Sequence, residues 1–479
     1  MRRGGCRLAR FCLTRSRAAR FKLPVFRRPD LSRLTEAEKD ALILALFDRL
    51  EAMEREIAAL KAQLGEPPKT PDNSSLPPSK GQKPNRRDKQ PRKGPRQGSL
   101  GRKGGGRPLS CTPDETVIAK PTCCMHCQAA FADGEHVLHG RYDKVDLPPV
   151  RPVVTRVERY SGRCRCCGGI TLAPVPESLE QGSPFSLNIM ALAIYLRFTH
   201  AIGYKRLTQL FLHLFALEIS EGALDAMFRR ATPCFDSEVA AILARLRRAR
   251  VICSDETTVR IDGVTHWNRV FQNEQVVIHV IRNSRGAGVV SEVLAGHRPK
   301  LWVSDLFGAQ QGHAELWQVC LAHQLRDCQF AIDAGDTVFA PRMKALLLRA
   351  AVLGRRSRTL TQSTRNYHLR RLTDALNRVM ALAPDNPHGK RLRKRYHKVR
   401  IHLFTFLEHP EVPPDNNGSE RELRPTATYR KVTGGFRSDW GAAFFAGVRS
   451  VVGTASRSGI NAYQAIRNVL GGASVLQPG

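Results

Sequence analysis

Apolar positions recur along this chain at two periods, and each change of period marks a different kind of segment. Ile43, Leu46, Leu50, Met53, Ile57, Leu60 and Leu64 alternate at three- and four-residue spacing, the a/d seam of a coiled-coil helix. Thr35 followed by Glu38 is a capping box that predicts where this helix begins. The seam is short, about three heptads, so packing onto the chain's own fold is the alternative to self-association. Residues 186–248 are again helical in pattern, with Leu207, Leu210, Leu214 and Leu217 on one stripe and SEGALDAMF opening a further helix. A helix-turn-helix matches that pattern; without a basic recognition face, an ordinary helical hairpin matches it better.

From Val251 the period drops to two. VICSDETTV, THWNRVFQ and QVVIHVIR read as three strands joined by the short turns IDG and NE, and the third is apolar enough to be covered on both faces. A helix over 288–295, the strand LWVSD and a helix from His313 complete the order βββαβα, which is that of a ribonuclease H-like core. In that arrangement the first and fourth strands lie side by side and bring Asp255 and Asp305 together. Acid at the end of an apolar strand is costly to bury unless a cation or hydrogen bonds compensate, and two such acids repel. Two Mg²⁺ (or Mn²⁺) ions would relieve that repulsion and serve phosphoryl transfer.

A third acid, Glu420, stands in DNNGSERELRP. Its spacing from Asn417 resembles a capping box, and Glu420 with Arg424 is an i,i+4 pair. Neither explains why Asn416, Asn417, Glu420, Arg421 and Arg424 gather at one helix start, which points to a metal ligand beside phosphate-binding guanidiniums. Glu422 lies about 200° around the same helix and reads as an idle neighbour. In 313–333, Trp317, Leu321, Leu325, Cys328 and Ile332 form a core-facing stripe, while Cys320, His323 and Asp327 share another face. Cys320 and His323 lack two further partners for zinc, so a packing or strand-positioning role is favoured for them.

Composition changes the picture in three places. The chain of 479 residues has a net charge of +33, concentrated in two stretches: 27 Lys/Arg against 11 Asp/Glu in 1–110, and 17 against 2 in 340–400. Such surpluses call for a polyanion, most simply double-stranded DNA, and the Pro-, Gly- and Lys/Arg-rich stretch 65–108 reads as a disordered basic linker. No apolar run is long enough to cross a membrane. Thirteen cysteines make a disulfide framework unlikely to be the organising device. Cys124–Cys127 and Cys164–Cys167 instead form two CxxC pairs, the four-thiolate shell of one structural Zn²⁺; Cys123 and Cys166 are adjacent substitutes, although the spacing favours the former set. The first 29 residues hold ten Lys/Arg and no acid, like a transit peptide; a start codon assigned too far upstream is the preferred explanation.

With these motifs in hand, the chain resembles bacterial transposases of the insertion-sequence-66 family from about Leu42 to Leu470. The resemblance rests on PDNSSLPPSK, the paired CxxC segment, SDET, VSD, CLAH, DNNGSERELRP and GAAFFAGVRSVVGTASRSGINAYQAI. It departs from the family at LFGAQQG, where a tyrosine-containing turn is usual, and at GRKGGGRP, where a histidine is. The resemblance implies that Asp255, Asp305 and Glu420 are a DDE triad, with Cys320 and His323 as a CxxH element. The expected protein is a multidomain α/β transposase that binds element ends and catalyses Mg²⁺-dependent DNA cleavage and strand transfer. Arg421, Arg424, Arg430 and Lys431 would contact DNA. It would act in the bacterial cytoplasm with the nucleoid, as a homo-oligomer on DNA, with accessory proteins of the same element. The expected organisation is a basic extension (1–30), a coiled-coil helix (31–65), a linker (66–110), a zinc-binding β segment (111–180) and a helical DNA-binding region (181–249). A catalytic core (250–425, helical insertion about 335–410) and a helical tail (426–479) follow. The rival readings are a ribonuclease H-like nuclease or resolvase that does not join ends, and a zinc-containing regulator whose acids are structural.

Overall fold

The computed structural model describes residues 35–64, 66, 67, 69–74, 108–176, 179, 180 and 182–476. The N-terminal extension and most of the basic linker expected over 66–110 lie outside the described residues. The chain divides into two units, Met1–Pro67 and Pro68–Gly479. The first contains helix α1 (Glu36–Leu64), which starts where the capping box places it: Glu38 accepts from the Thr35 amide at 2.8 Å, and the Glu38 amide donates to Thr35 Oγ1. Ile43, Leu46, Leu50, Met53 and Ile57 of the seam are exposed in the single chain. Among the described residues no helix is long and apolar enough to cross a membrane.

The second unit is built on a five-stranded mixed sheet. Its strands are β3 (Val251–Ile261), β4 (Val264–Gln272), β5 (Val277–Arg282), β6 (Leu301–Ser304) and β7 (Leu316–Val319), in the order β5-β4-β3-β6-β7. β3, β4 and β5 are antiparallel neighbours, whereas β6 lies parallel to β3 and β7 parallel to β6. The IDG turn works because Asp262 and Gly263 both take positive φ, as a two-residue hairpin requires. Helix α5 (Ala287–Leu294) makes the crossover to β6. The helix expected from His313 is corrected: residues 316–319 form edge strand β7, and helix α6 (Leu321–Asp333) begins only after it. LWQV is too short to show a period of its own, and its apolar residues continue the helical stripe that follows.

Both faces of the sheet are covered. On one, Ile252, Phe271, Ile278 and Trp302 join a large buried cluster. Its helices are α2 (Leu187–Ile194), α3 (Tyr204–Phe215), α4 (Glu221–Leu246), α12 (Asp439–Arg457) and α13 (Ala462–Leu470). The helical region before the sheet and the tail after it therefore share one core. On the other face, Cys253, Leu301, Val303 and Val319 pack against α6 and the insertion helices. These are α7 (Ala340–Gly354), α8 (Gln362–Met380), α9 (Pro387–Val399) and α10 (Thr405–Glu408). The basic insertion is thus a cover for the sheet as well as a carrier of charge: α9 buries Leu392, Tyr396 and Val399 and exposes Arg391, Lys394 and Lys398.

Helix α11 (Asn417–Thr433) carries most of the DNNGSERELRP motif and crosses the same face as the insertion. Ser419, Leu423 and Thr426, at helical spacing, meet β4: Ser419 accepts from Gln272, Leu423 packs with Val270, and Thr426 accepts from Asn268. Gly418 permits this approach, because a Cβ there would lie 2.8 Å from Gln272 Nε2. One edge of the sheet is protected by side chains rather than by another strand. The Val277 amide donates to Thr454 Oγ1 (3.0 Å) and the His279 amide to Ser450 Oγ (2.8 Å), both on α12.

Candidate functional site

The parallel register of β3 with β6 brings two of the acids together. Val251, Ile252 and Cys253 pair with Leu301, Trp302 and Val303, so the same offset carries Asp255 opposite Asp305, one residue past the end of β6. Neighbouring strands lie about 4.8 Å apart. Side chains alternate, so Asp255 and Asp305 follow Cys253 and Val303 onto the face that bears α11. Glu420 is in the first turn of α11. That turn is tied down from several sides: Asn416 Nδ2 donates to the Ser254 carbonyl (2.7 Å), Ser419 donates to Asn416 Oδ1, and the Asn416 amide points at Cys320 Sγ (3.1 Å).

Asp255 feels both of the other acids. The Asp255 carboxyl is pushed up to about 8, first by withdrawal from water and then by the charges of Asp305, Glu420 and Glu256, while the Glu256 amide partly offsets this. Glu420 is not unaccompanied: Arg326 of α6 donates to its Oε1 at 2.6 Å, and His323 Nε2 stands 4.0 Å away. Burial and then Arg326 hold the His323 imidazole below its usual range. Sequence reasoning missed Arg326. The signal was its spacing, one and two turns of α6 beyond His323 and the CLAH start.

Glu256, beside Asp255 in SDET, has a separate job. Arg269 (2.9 Å), Arg285 (2.5 Å) and Gln310 (3.1 Å) all reach it, and Arg269 and Glu256 are almost fully buried. This network ties the loop after Asp305 to β3. Beside it opens a cleft of about 830 Å³ lined by Asp305, His323, Arg285, Arg395 and Lys398 among others. Of the four basic residues expected at DNA, Arg421, Arg424 and Lys431 are exposed on α11, whereas Arg430 is turned back to Thr258 Oγ1 at 2.8 Å. The idle role expected of Glu422 is corrected. It pairs with Arg457 at 3.1 Å and lies near Arg449, a guanidinium buried in α12. Cys320 is a buried thiol pushed up to about 12 by withdrawal from water, which makes it a hydrogen-bonding and packing group rather than a thiolate.

Among the described residues no three His, Cys, Asp or Glu side chains converge closely enough to hold a metal ion. The donor chemistry nevertheless fits a hard divalent cation: Asp305 and Glu420 both act on Asp255 across one sheet face, and oxygen ligands are what Mg²⁺ takes. The cysteine pairs are built differently. In each, the chain turns back on itself, the Gln128 amide reaching Cys124 O and the Gly168 amide Cys164 O. The amides of Cys127 and His126 lower the Cys124 thiol, and those of Cys167 and Cys166 lower Cys164. Strands β1 (Ser161–Arg163) and β2 (Ile170–Leu172) flank the second turn. Cys123 Sγ lies 3.8 Å from Gln128 Oε1 and belongs to an isolated β-bridge. Knuckles whose amides favour thiolates fit zinc.

No match to a curated protein was found. A family model described as "Transposase IS66 family" matches residues 182–444, a span that contains the sheet, all three acids, the insertion and α11. The chain belongs to the IS66 family of transposases, proteins of DNA transposition.

Proposed function

We propose that this transposase cleaves DNA at element ends and joins them to target DNA with a ribonuclease H-like core, using Asp255, Asp305 and Glu420 as one acidic site. The observation that carries the reading is the convergence of Asp255 and Asp305, through parallel register, on the face crossed by the helix of Glu420. The strand order and the mixed directions of the sheet support the fold assignment. The three acids would hold two Mg²⁺ (or Mn²⁺) ions, which when bound supply Lewis-acid activation of an attacking oxygen and neutralise a leaving one. The chain's own contribution is positioning. Asn416, Ser419 and Gln272 seat α11, and the Glu256 network seats the loop after Asp305. Lys398 offers a cation to phosphate beside Asp305, flanked by Arg285 and Arg395 in ion pairs with Glu256 and Asp327, and Arg421, Arg424 and Lys431 extend the basic surface along α11. Cys124, Cys127, Cys164 and Cys167 would hold one structural Zn²⁺ outside the chemistry, and α1 would pair protomers on DNA.

A strand-transfer assay with pre-cleaved ends tests this. Wild type should join them in Mg²⁺, whereas Asp255→Asn and Asp305→Asn should bind the ends and join none. Cleavage of uncleaved ends by a wild type that fails to join pre-cleaved ones would favour the nuclease reading. Full activity of both variants would make the acids structural.

A further inference from the structure

Among the described residues, Glu420 is the acid of the three that a cation of the chain itself holds. Arg326 Nη2 donates to Glu420 Oε1 at 2.6 Å, with the side chains only 22% and 27% exposed. The pairing is no accident of two long side chains meeting at a surface, because the helices that carry them are joined at their starts. The Asn416 amide reaches Cys320 Sγ, and the Leu321 amide donates to the Pro414 carbonyl at 3.0 Å. Arg326 therefore stays facing the first turn of α11. The neighbouring cation is engaged elsewhere: Arg395 of α9 pairs with Asp327, the residue after Arg326 on α6.

We propose that Arg326 is the resident counter-ion of the acidic site and competes with divalent cations for Glu420. The proposal rests on the reading of Asp255, Asp305 and Glu420 as a cation site. A guanidinium and a divalent cation bound to one carboxylate repel each other, so each weakens the other's hold on Glu420, whose Oε1 carries the 2.6 Å bond. Between uptake events the guanidinium offsets part of the repulsion among three acids, which is the electrostatic task a bound cation would otherwise perform. Arg326 is thus a gating residue for the site and not a ligand. The opposite role, a brace that orients Glu420 for coordination, predicts the opposite sign on substitution.

The test is Mn²⁺ titration of the full zinc-loaded chain without DNA, with free Mn²⁺ read by electron paramagnetic resonance. Arg326→Gln should bind Mn²⁺ about tenfold more tightly than wild type, the scale of losing one charge-assisted hydrogen bond from the competing state. Arg326→Lys, which keeps a cation, should stay close to wild type. Arg326→Met keeps the aliphatic stem and gives the same measurement should the Gln variant not fold. Unchanged or weaker binding by a folded Arg326→Gln or Arg326→Met protein overturns the competition. Asp255→Asn separates that failure from failure of the site itself. Loss of binding in both Asp255→Asn and Asp255→Asn/Arg326→Gln upholds the acidic site, whereas binding retained in the double variant overturns the site and not merely the gate.

Discussion

Single residues in this protein do unlike work although they sit side by side. Asp255 and Glu256 are neighbours on β3, yet one faces the other two acids and the other is clasped by two arginines. The raised Asp255 carboxyl has a stability consequence. Its ordinary pKa is 3.8 and its folded value about 8, so between them the unfolded chain has lost a proton that the native state keeps. Stability then falls as pH rises through that window. Asp255→Asn should therefore stabilise the cation-free protein at pH 7 by on the order of 4 kcal/mol, seen as a higher thermal midpoint, and the gain should vanish near pH 4. An equal gain at both pH values would show that the carboxyl is not perturbed. Glu420→Gln should reduce joining by more than about 100-fold without loss of fold, since even outer partners of metal ligands cost 10–100-fold. Glu422→Gln is no neutral comparison. It removes the charge that holds Arg457 and faces buried Arg449, and should destabilise the chain by about 1–3 kcal/mol in denaturant titration. The two glutamates belong to one motif, and sequence spacing alone could say that they point apart, not what each meets.

Elements join through polar contacts whose partners are far apart in sequence. α12 closes the edge of β5 with Thr454 and Ser450, one helical turn apart, each accepting from alternate amides of the strand. Thr454→Val keeps the shape but leaves the Val277 amide without its acceptor, and should cost about 1–3 kcal/mol. A thermal midpoint equal to wild type would mean that water or backbone replaces the hydroxyl. The GAAFFAGVRSVVGTASR stretch displays helical spacing openly, but its Ser and Thr read there as neutral helix residues, because the strand they serve lies 171 to 177 positions away. The paired CxxC segment behaves in the reverse manner. Each knuckle is local and was legible from spacing, while their joining is a matter of tertiary structure and metal. Cys124→Ser with Cys167→Ser should remove stoichiometric zinc and weaken end binding more than joining of pre-bound ends; zinc retained at full stoichiometry would reassign the ligands to Cys123 or Cys166.

At the scale of the molecule, charge and core occupy the same helices. The insertion buries one face of α9 against α6 and α8, beneath which the sheet lies in the same core, and turns Arg391, Lys394 and Lys398 outward. Replacing those three by Gln should leave stability nearly unchanged and lower the salt slope of DNA binding by roughly one unit for each lost phosphate contact. An unchanged slope would place the DNA elsewhere. Asn73 of the PDNSS motif supplies a further long connection: it accepts from Thr70 and donates to Asp333 at the end of α6.

Local pattern was enough to determine the helical capping box at Thr35, the β3–β4–β5 meander with its Asp262-Gly263 turn, and the acids within β3 and just past β6. Each depends on neighbours within a few residues or on a period of two or 3.6. The chain alone also determined family, because DNNGSERELRP and its companions are contiguous strings. Tertiary structure decided the rest. It made 316–319 a strand, since four residues acquire β structure only by pairing with Leu301–Ser304. It merged the region before the sheet and the tail after it into one core, which depends on faces that no single segment can bury alone. It set Arg326 on Glu420 across 94 positions, because an ion pair between helices is fixed by how their starts are tied and leaves no period in the sequence to read.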